Sequence, residues 1–135
     1  MNKQGEIRHA LDKLIVQGNL EVIGTLFTEN YVAHAGNKHY QGHTFLKRWT
    51  KELRSAIPNI KAQKVEFLAQ SGKTITWQRT FRGMHQKKMR GIPASGKTIT
   101  WGEMVVSRFE GNKIAEEWVV SELAGQLMLK QPKNK

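Results

Sequence analysis

Three groupings in this 135-residue chain have the residue types for chemistry. Gly91-Ile92-Pro93-Ala94-Ser95-Gly96-Lys97-Thr98 fits the spacing of a glycine-rich loop whose backbone amides cradle phosphates. Such a loop works by opening a helix, because the free N–H groups and dipole of the first turn meet the anion. Here the residues after Thr98 alternate as a strand, Pro93 removes one of the amides, and the one aspartate, Asp12, belongs to a distant helical pattern. Nucleotide binding is not expected. His34, His39 and His43 suggest a metal, but Gly36 and Gly42 break any helical placement of the three and no acidic ligand is close in sequence, so no metal is expected. The third feature is Arg79, a cation within an otherwise apolar alternation. It either pairs with Glu103 or Glu122 or clamps an anionic substrate.

The elements that must position these residues follow from hydrophobic period. Ile7, Ala10, Leu11, Leu14 and Ile15 share one side of a helix spanning 6–17, which Gly18 stops. Asn19 is placed to cap a second short helix carrying Leu20, Ile23, Leu26 and Phe27. Residues 29–42 read as a loop. A third helix runs from about Thr44 to Pro58 with Phe45, Trp49, Leu53 and Ala56 as its buried stripe. The period then becomes two. Val65, Phe67 and Ala69 mark a first strand; Ile75, Trp77, Arg79, Phe81 and His85 share a face of the second; Ile99, Trp101, Glu103, Val105 and Phe109 share one of the third. Gly111-Asn112 turns into a fourth, where Ile114, Glu116, Trp118, Val120 and Glu122 are expected to point together. Ser-Gly-Lys-Thr-Ile-Thr-Trp occurs twice, at 71–77 and 95–101, as one turn-plus-strand solution used twice. A last helical turn or two, 123–130, closes one end. Hairpin links predict an antiparallel sheet with helices on one side, an α+β fold in a single domain over 1–135, with an ordered core over about 5–130 and a basic tail at 131–135.

Composition narrows the function classes. The net charge of +11 would suit a nucleic-acid surface, but the lysines and arginines are scattered through every segment, so a solvated basic exterior without specific nucleic-acid binding is expected. No cysteine is present, no run of about 18 apolar residues exists, and the opening residues lack the apolar core of a secretory signal. A soluble, cytoplasmic protein without membrane attachment is the expectation.

Three stretches in consistent order resemble the SnoaL-like polyketide cyclase (ester cyclase) family. Tyr31-Val32-Ala33-His34 with Tyr40 to Phe45 is similar to its segment before the third helix. Gly83-Met84-His85 leading to Gly91-Ile92-Pro93-Ala94-Ser95-Gly96-Lys97 is similar to its glycine–threonine–histidine segment and following loop. Arg108 to Ile114 with Glu116-Glu117-Trp118 is similar to its closing strand pair. The resemblance implies a cone of the nuclear-transport-factor-2-like type, a curved antiparallel sheet packed on three N-terminal helices around an internal pocket. It also implies intramolecular aldol ring closure without metal or cofactor, with an acid-base carboxylate near the end of the last strand. Some family sequences carry aspartates directly after the closing tryptophan and three residues later; this chain has Val119 and Glu122 there. An apolar site of the family before Gly91 is Arg90 here, which makes the pocket mouth more basic and suits an anionic small molecule.

On that basis Glu122 is the expected base, its pKa raised by an apolar setting beside Trp118. His85 and His34 are expected donors or proton partners, and Trp77, Arg79, Phe81, Trp101 and Trp118 are expected to contact substrate. Glu103 is the alternative carboxylate. A non-catalytic module that binds a small molecule in the same pocket competes with the enzyme, and a buried carboxylate beside the pocket separates the two. The outer sheet face, carrying Thr76, Thr80, Thr98, Thr100, Met104 and Val106, has too little charge for a purely solvated surface and predicts pairing into a homodimer.

Overall fold

The computed structural model describes residues 2–132, so residues 133–135 of the expected basic tail lie outside the described residues. Along the chain come α1 (Lys3–Ala10), a π-helical continuation (Leu11–Val16), a 3₁₀ turn (Leu20–Val22), α2 (Ile23–Leu26), β1 (Phe27–Ala35), β2 (Lys38–Gln41) and α3 (Gly42–Ala56). They are followed by β3 (Lys61–Ser71), β4 (Thr74–Met84), β5 (Thr98–Glu110), β6 (Lys113–Ser121) and α4 (Leu123–Leu129). The strands form one sheet in the order β2-β1-β6-β5-β4-β3. The result is the expected α+β cone: a curved, unclosed sheet whose concave face is covered by the N-terminal helices. Among the described residues no helix is long and apolar enough to cross a membrane.

Two parts of the sequence reading are corrected. Residues 29–42 are a strand pair, not a loop: β1 and β2 pair antiparallel around Gly36, whose φ of 64° is a turn conformation that suits glycine. The inward residues of β1, Tyr31 and Ala33, alternate as a strand should, but the asparagine and histidines between them dilute the pattern. The sheet is also not wholly antiparallel. β1 runs parallel to β6, pairing Ala33 with Glu117 and His34 with Trp118, because β1 reaches β6 from α2 and no hairpin constrains its direction.

The helical layer begins with Asn2, whose side chain accepts from the Gly5 N–H at 2.7 Å and caps α1. Ile7, Ala10, Leu11, Leu14 and Ile15 are buried as the period requires, although the helix loosens to π geometry after Ala10. Arg54 of α3 donates through Nη1 to the carbonyls of Ile15 and Val16, satisfying acceptors that the helix end leaves open. On α3 the buried stripe is Leu46, Thr50, Leu53 and Ala56, while Phe45 and Trp49 are half-buried and turn toward a cavity.

The sheet core is the inward row of β4, Ile75, Trp77, Arg79 and Phe81, set directly opposite Ser107, Val105, Glu103 and Trp101 of β5. Burying each large apolar side chain contributes about 1.5–3 kcal/mol, so this double row is a principal source of stability. At the far end of β4 the backbone must lie close to the loop after α3. A Cβ on Gly83 would stand 2.3 Å from Ile57 Cγ2 and 3.2 Å from Ile60 Cα. Gly83→Ala is therefore expected to destabilise the fold by about 1–3 kcal/mol, the usual cost of overpacking. Urea unfolding measures this, and an unchanged midpoint would refute the packing described.

Candidate functional site

Between the helical layer and the concave face lies a cavity of about 740 Å³, walled by Leu11, Leu14 and Ile15 of the π-helical segment, Phe45 and Trp49 of α3, and the inward residues of β1, β4, β5 and β6. Its volume is in the range of small-molecule sites. The wall is mostly apolar, with two polar networks set into it.

The first centres on Glu117. Tyr31 Oη donates to Glu117 Oε1 at 2.8 Å and Ser107 Oγ to Oε2 at 2.6 Å, while Trp77 Nε1 donates to Ser107 Oγ at 2.9 Å. All four residues are buried, and the donors to Glu117 are neutral. The Tyr31 hydroxyl is pushed well above its usual range by burial first, then by the Glu117 charge and the hydrogen bond to it, with Arg79 opposing weakly. Tyr31 is accordingly a neutral donor at physiological pH. The second network centres on Glu103. Arg79 gives Nε and Nη2 to Glu103 Oε1, both at 2.7 Å, and Oε2 accepts from Ser121 Oγ at 2.6 Å and Trp101 Nε1 at 3.3 Å. The guanidinium also lies over the rings of Trp77 and Phe81, 5.2 and 5.1 Å from their centroids. Four donors occupy Glu103, so its role is to hold Arg79, which itself lines the cavity.

These side chains share the cavity because β6 contains a bulge. Phe109 pairs with Ile114 but Arg108 pairs with Glu116, so Ala115 is the extra residue. Before it Ile114 points inward; after it Glu117, Val119 and Ser121 do, while Glu116 and Trp118 point out and Val120, 75% exposed near the strand end, also touches the cavity rim. A shift of one residue exchanges the two faces of a strand. The expected row of Trp118 with Glu122 in the pocket is corrected by this bulge. Trp118 stacks on His34 on the opposite face, with centroids 5.0 Å apart. Glu122 is exposed after the strand end, accepting from the Gly102 N–H at 2.8 Å.

The other sequence-derived residues divide. Trp77 and Arg79 line the cavity, while Phe81 and Trp101 are buried behind it as a tilted pair at 5.4 Å. His34 borders the cavity, but its ring nitrogens are engaged: Nε2 donates to Glu116 at 2.5 Å and Nδ1 meets His39 Nδ1 at 2.6 Å. His85 is fully buried at the end of β4, away from the cavity lining, with no partner for either ring nitrogen among the described residues. His43 bonds to the carbonyls of Phe27 and Thr28, apart from the other two histidines of its stretch. Sequence reasoning missed Glu117, Ser107, Ser121 and Tyr31 as site residues. The only available signal was the Glu116-Glu117 doublet, which places one carboxylate inward whichever register holds.

The outward pair carries a pH dependence. The hydrogen bond from His34, followed by that from Arg108, holds the Glu116 carboxyl below its ordinary value of 4.5. A carboxylate depressed in the folded state stabilises fully above that ordinary value, and its contribution is lost as pH falls through the folded one. Glu116→Gln is expected to lower stability at neutral pH by less than about 1 kcal/mol, since solvent reaches the pair, and to match the unmodified protein in acid. Thermal melts from pH 7 to pH 3 test this; a difference that persists undiminished at the acid end would contradict it.

Comparison with known proteins agrees with this architecture. A candidate polyketide cyclase from Acidithiobacillus ferrooxidans superposes with a TM-score of 0.80 at 19% identity, over 94% of this chain and 92% of that one. IdmH, a candidate polyketide cyclase from Streptomyces antibioticus, gives 0.76 at 20% identity over 96% and 98%. AclR, a candidate hydroxylase from Streptomyces galilaeus, gives 0.77 at 15% identity over 96% and 97%. These likenesses establish the nuclear-transport-factor-2-like fold, and one architecture plainly hosts differently described proteins. Comparison with curated proteins finds no match. The SnoaL-like polyketide cyclase model matches residues 5–128, nearly the whole chain, and with the cone and its walled cavity already described this places the protein in the SnoaL-like polyketide cyclase family.

Proposed function

We propose that the protein is a cofactor-independent acid-base enzyme that closes a ring in, or isomerises, a small carbonyl compound, with Glu117 as the base. The observation that carries this reading is a buried carboxylate on the cavity wall, hydrogen-bonded among the described residues only by the neutral donors Tyr31 and Ser107. A carboxylate has about four lone-pair sites, so two remain for a substrate proton. Glu117 takes the proton from the carbon beside a carbonyl, and the electron pair moves into the new C=C bond and onto the oxygen. Arg79, held in place by Glu103, faces that charge as it develops. The enolate carbon then attacks a second carbonyl of the same molecule, forming the ring C–C bond, and the resulting alkoxide takes the proton back from Glu117. Glu117 replaces Glu122 in the role expected from sequence, because only the former lines the cavity.

A second reading, a binding module without catalysis, has its own support. Val119, where some family sequences have an aspartate, lines the cavity. Solvent-deuterium exchange into a panel of β-dicarbonyl compounds, followed by NMR, separates the two. The enzyme reading expects accelerated α-proton exchange that Glu117→Gln slows by about 100-fold or more with ligand binding retained, the scale for loss of a general base. Full exchange activity in Glu117→Gln overturns the assignment, and ligands that bind to the unmodified protein without any exchange leave the binding module as the function.

The same reading includes a homodimer formed through the outer sheet face. Met104 pairs with Val120 and Val106 with Trp118 across β5 and β6, and Met104, Trp118 and Val120 are 49%, 40% and 75% exposed, a contiguous apolar strip. Light scattering at micromolar concentration is expected to give a dimer that Val120→Lys converts to a folded monomer. A monomeric unmodified protein would contradict this.

A further inference from the structure

Among the described residues, Arg90 is the one residue other than glycine with a positive φ, 51°. It occupies the first central position of a two-residue turn in which Met89 and Ile92 exchange both backbone hydrogen bonds, at 3.0 and 2.8 Å, with Gly91 at φ 76°. Turns of this geometry favour asparagine, aspartate or glycine at that position, and a long side chain there carries backbone strain. The turn is anchored rather than loose. Met89 is buried in the core, the Gln86 N–H donates to the Ala56 carbonyl, and Gln131 Nε2 donates to the Pro93 carbonyl at 2.7 Å.

The strained residue is a cation that lines the cavity. Arg48 also lines it, its guanidinium 6.0 Å from the centroid of the Phe45 ring, which stacks on Tyr40; both rings are in the wall. Lys38 completes the group, and none of these three cations forms an ion pair among the described residues, whereas the deeper Arg79 is committed to Glu103. Among the described lining residues Glu52 and Glu117 are the carboxylates without a cation partner, against Lys38, Arg48 and Arg90, so the unpaired lining charge is still positive. Unpaired cations at the solvent-facing edge of an apolar cavity, one of them on an anchored turn, suit an anionic group on a ligand whose body is apolar.

We propose that Arg90, assisted by Arg48, selects ligands bearing a carboxylate or similar anionic group, so that the substrate class is an apolar keto acid rather than a neutral ketone or ester. This rests on the reading that the cavity is the ligand site, and its test does not require turnover. Anilinonaphthalene sulfonate and its uncharged parent, phenylnaphthylamine, form a matched pair of fluorescent probes differing by one anionic group. The unmodified protein is expected to bind the sulfonate more tightly. Arg90→Gly and Arg90→Asn, both suited to the turn, are expected to weaken the sulfonate by about tenfold and the neutral probe by less than about twofold, the scale of one charge-assisted contact. Lys88→Gln, a change of the same charge on the same loop but outside the lining, is expected to alter neither. Equal affinity of the two probes for the unmodified protein, equal losses of both in the Arg90 variants, or an equal effect of Lys88→Gln would each overturn the proposal. Retained sulfonate selectivity in Glu117→Gln, with no exchange activity in the unmodified protein, would leave this inference standing while refuting the catalytic one.

Discussion

The extra residue Ala115 in β6 decides which chemistry faces the cavity. Without it the inward row would continue from Ile114 through Glu116, Trp118 and Val120, so that Glu116 would stand in for Glu117 while an indole and an aliphatic side chain replaced Val119 and Ser121. A bulge inserts one residue on one strand only, so it reverses the faces of β6 beyond that point while leaving β5 in register. The two cavity contacts that join β5 to β6 lie on the far side of that shift: Ser107 with Glu117, and Glu103 with Ser121.

The two networks have different electrostatic characters although they lie on the same concave face. Glu103 is neutralised by a guanidinium and two further donors, an arrangement that fixes Arg79 between two aromatic rings and costs little once complete, since a buried ion pair is tolerated when its hydrogen bonds are satisfied. Among the described residues Glu117 has only neutral donors, one of them a phenol that burial keeps protonated. A carboxylate in that setting can exchange a proton with a ligand without first breaking an ion pair. Under the proposed function, the committed cation stabilises charge at the enolate oxygen while the carboxylate without an ion pair removes the proton at carbon.

Most of the fold was legible because it follows periods that the sequence keeps. The burial of Ile75, Trp77, Arg79 and Phe81, and of Ile99, Trp101, Glu103, Val105 and Phe109, agrees with strict alternation, and the pairing of Arg79 with Glu103 was one of the two partners it allowed. What could not be read were features with no periodic trace. β1 and β2 hid behind histidine and asparagine, and the parallel contact of β1 with β6 is tertiary. The bulge sits in a stretch whose apolar residues, Ile114, Trp118 and Val120, fit the wrong face as well as the right one. As a result Trp77 and Arg79 lie on the cavity wall where alternation puts them, while Glu122, expected beside them, is solvated at the strand end.

The central claim is that Glu117, Tyr31 and Arg79 form the reaction centre of the cavity. A crystal structure of the protein soaked with a substituted phenol, a planar mimic of an enolate, tests it most directly. The account predicts the phenol ring inside the cavity, with its oxygen in hydrogen-bond contact with Arg79 or with the Tyr31–Glu117 pair. A ligand seated on the outer face by Trp118, or within the cavity but turned away from all three residues, would contradict it.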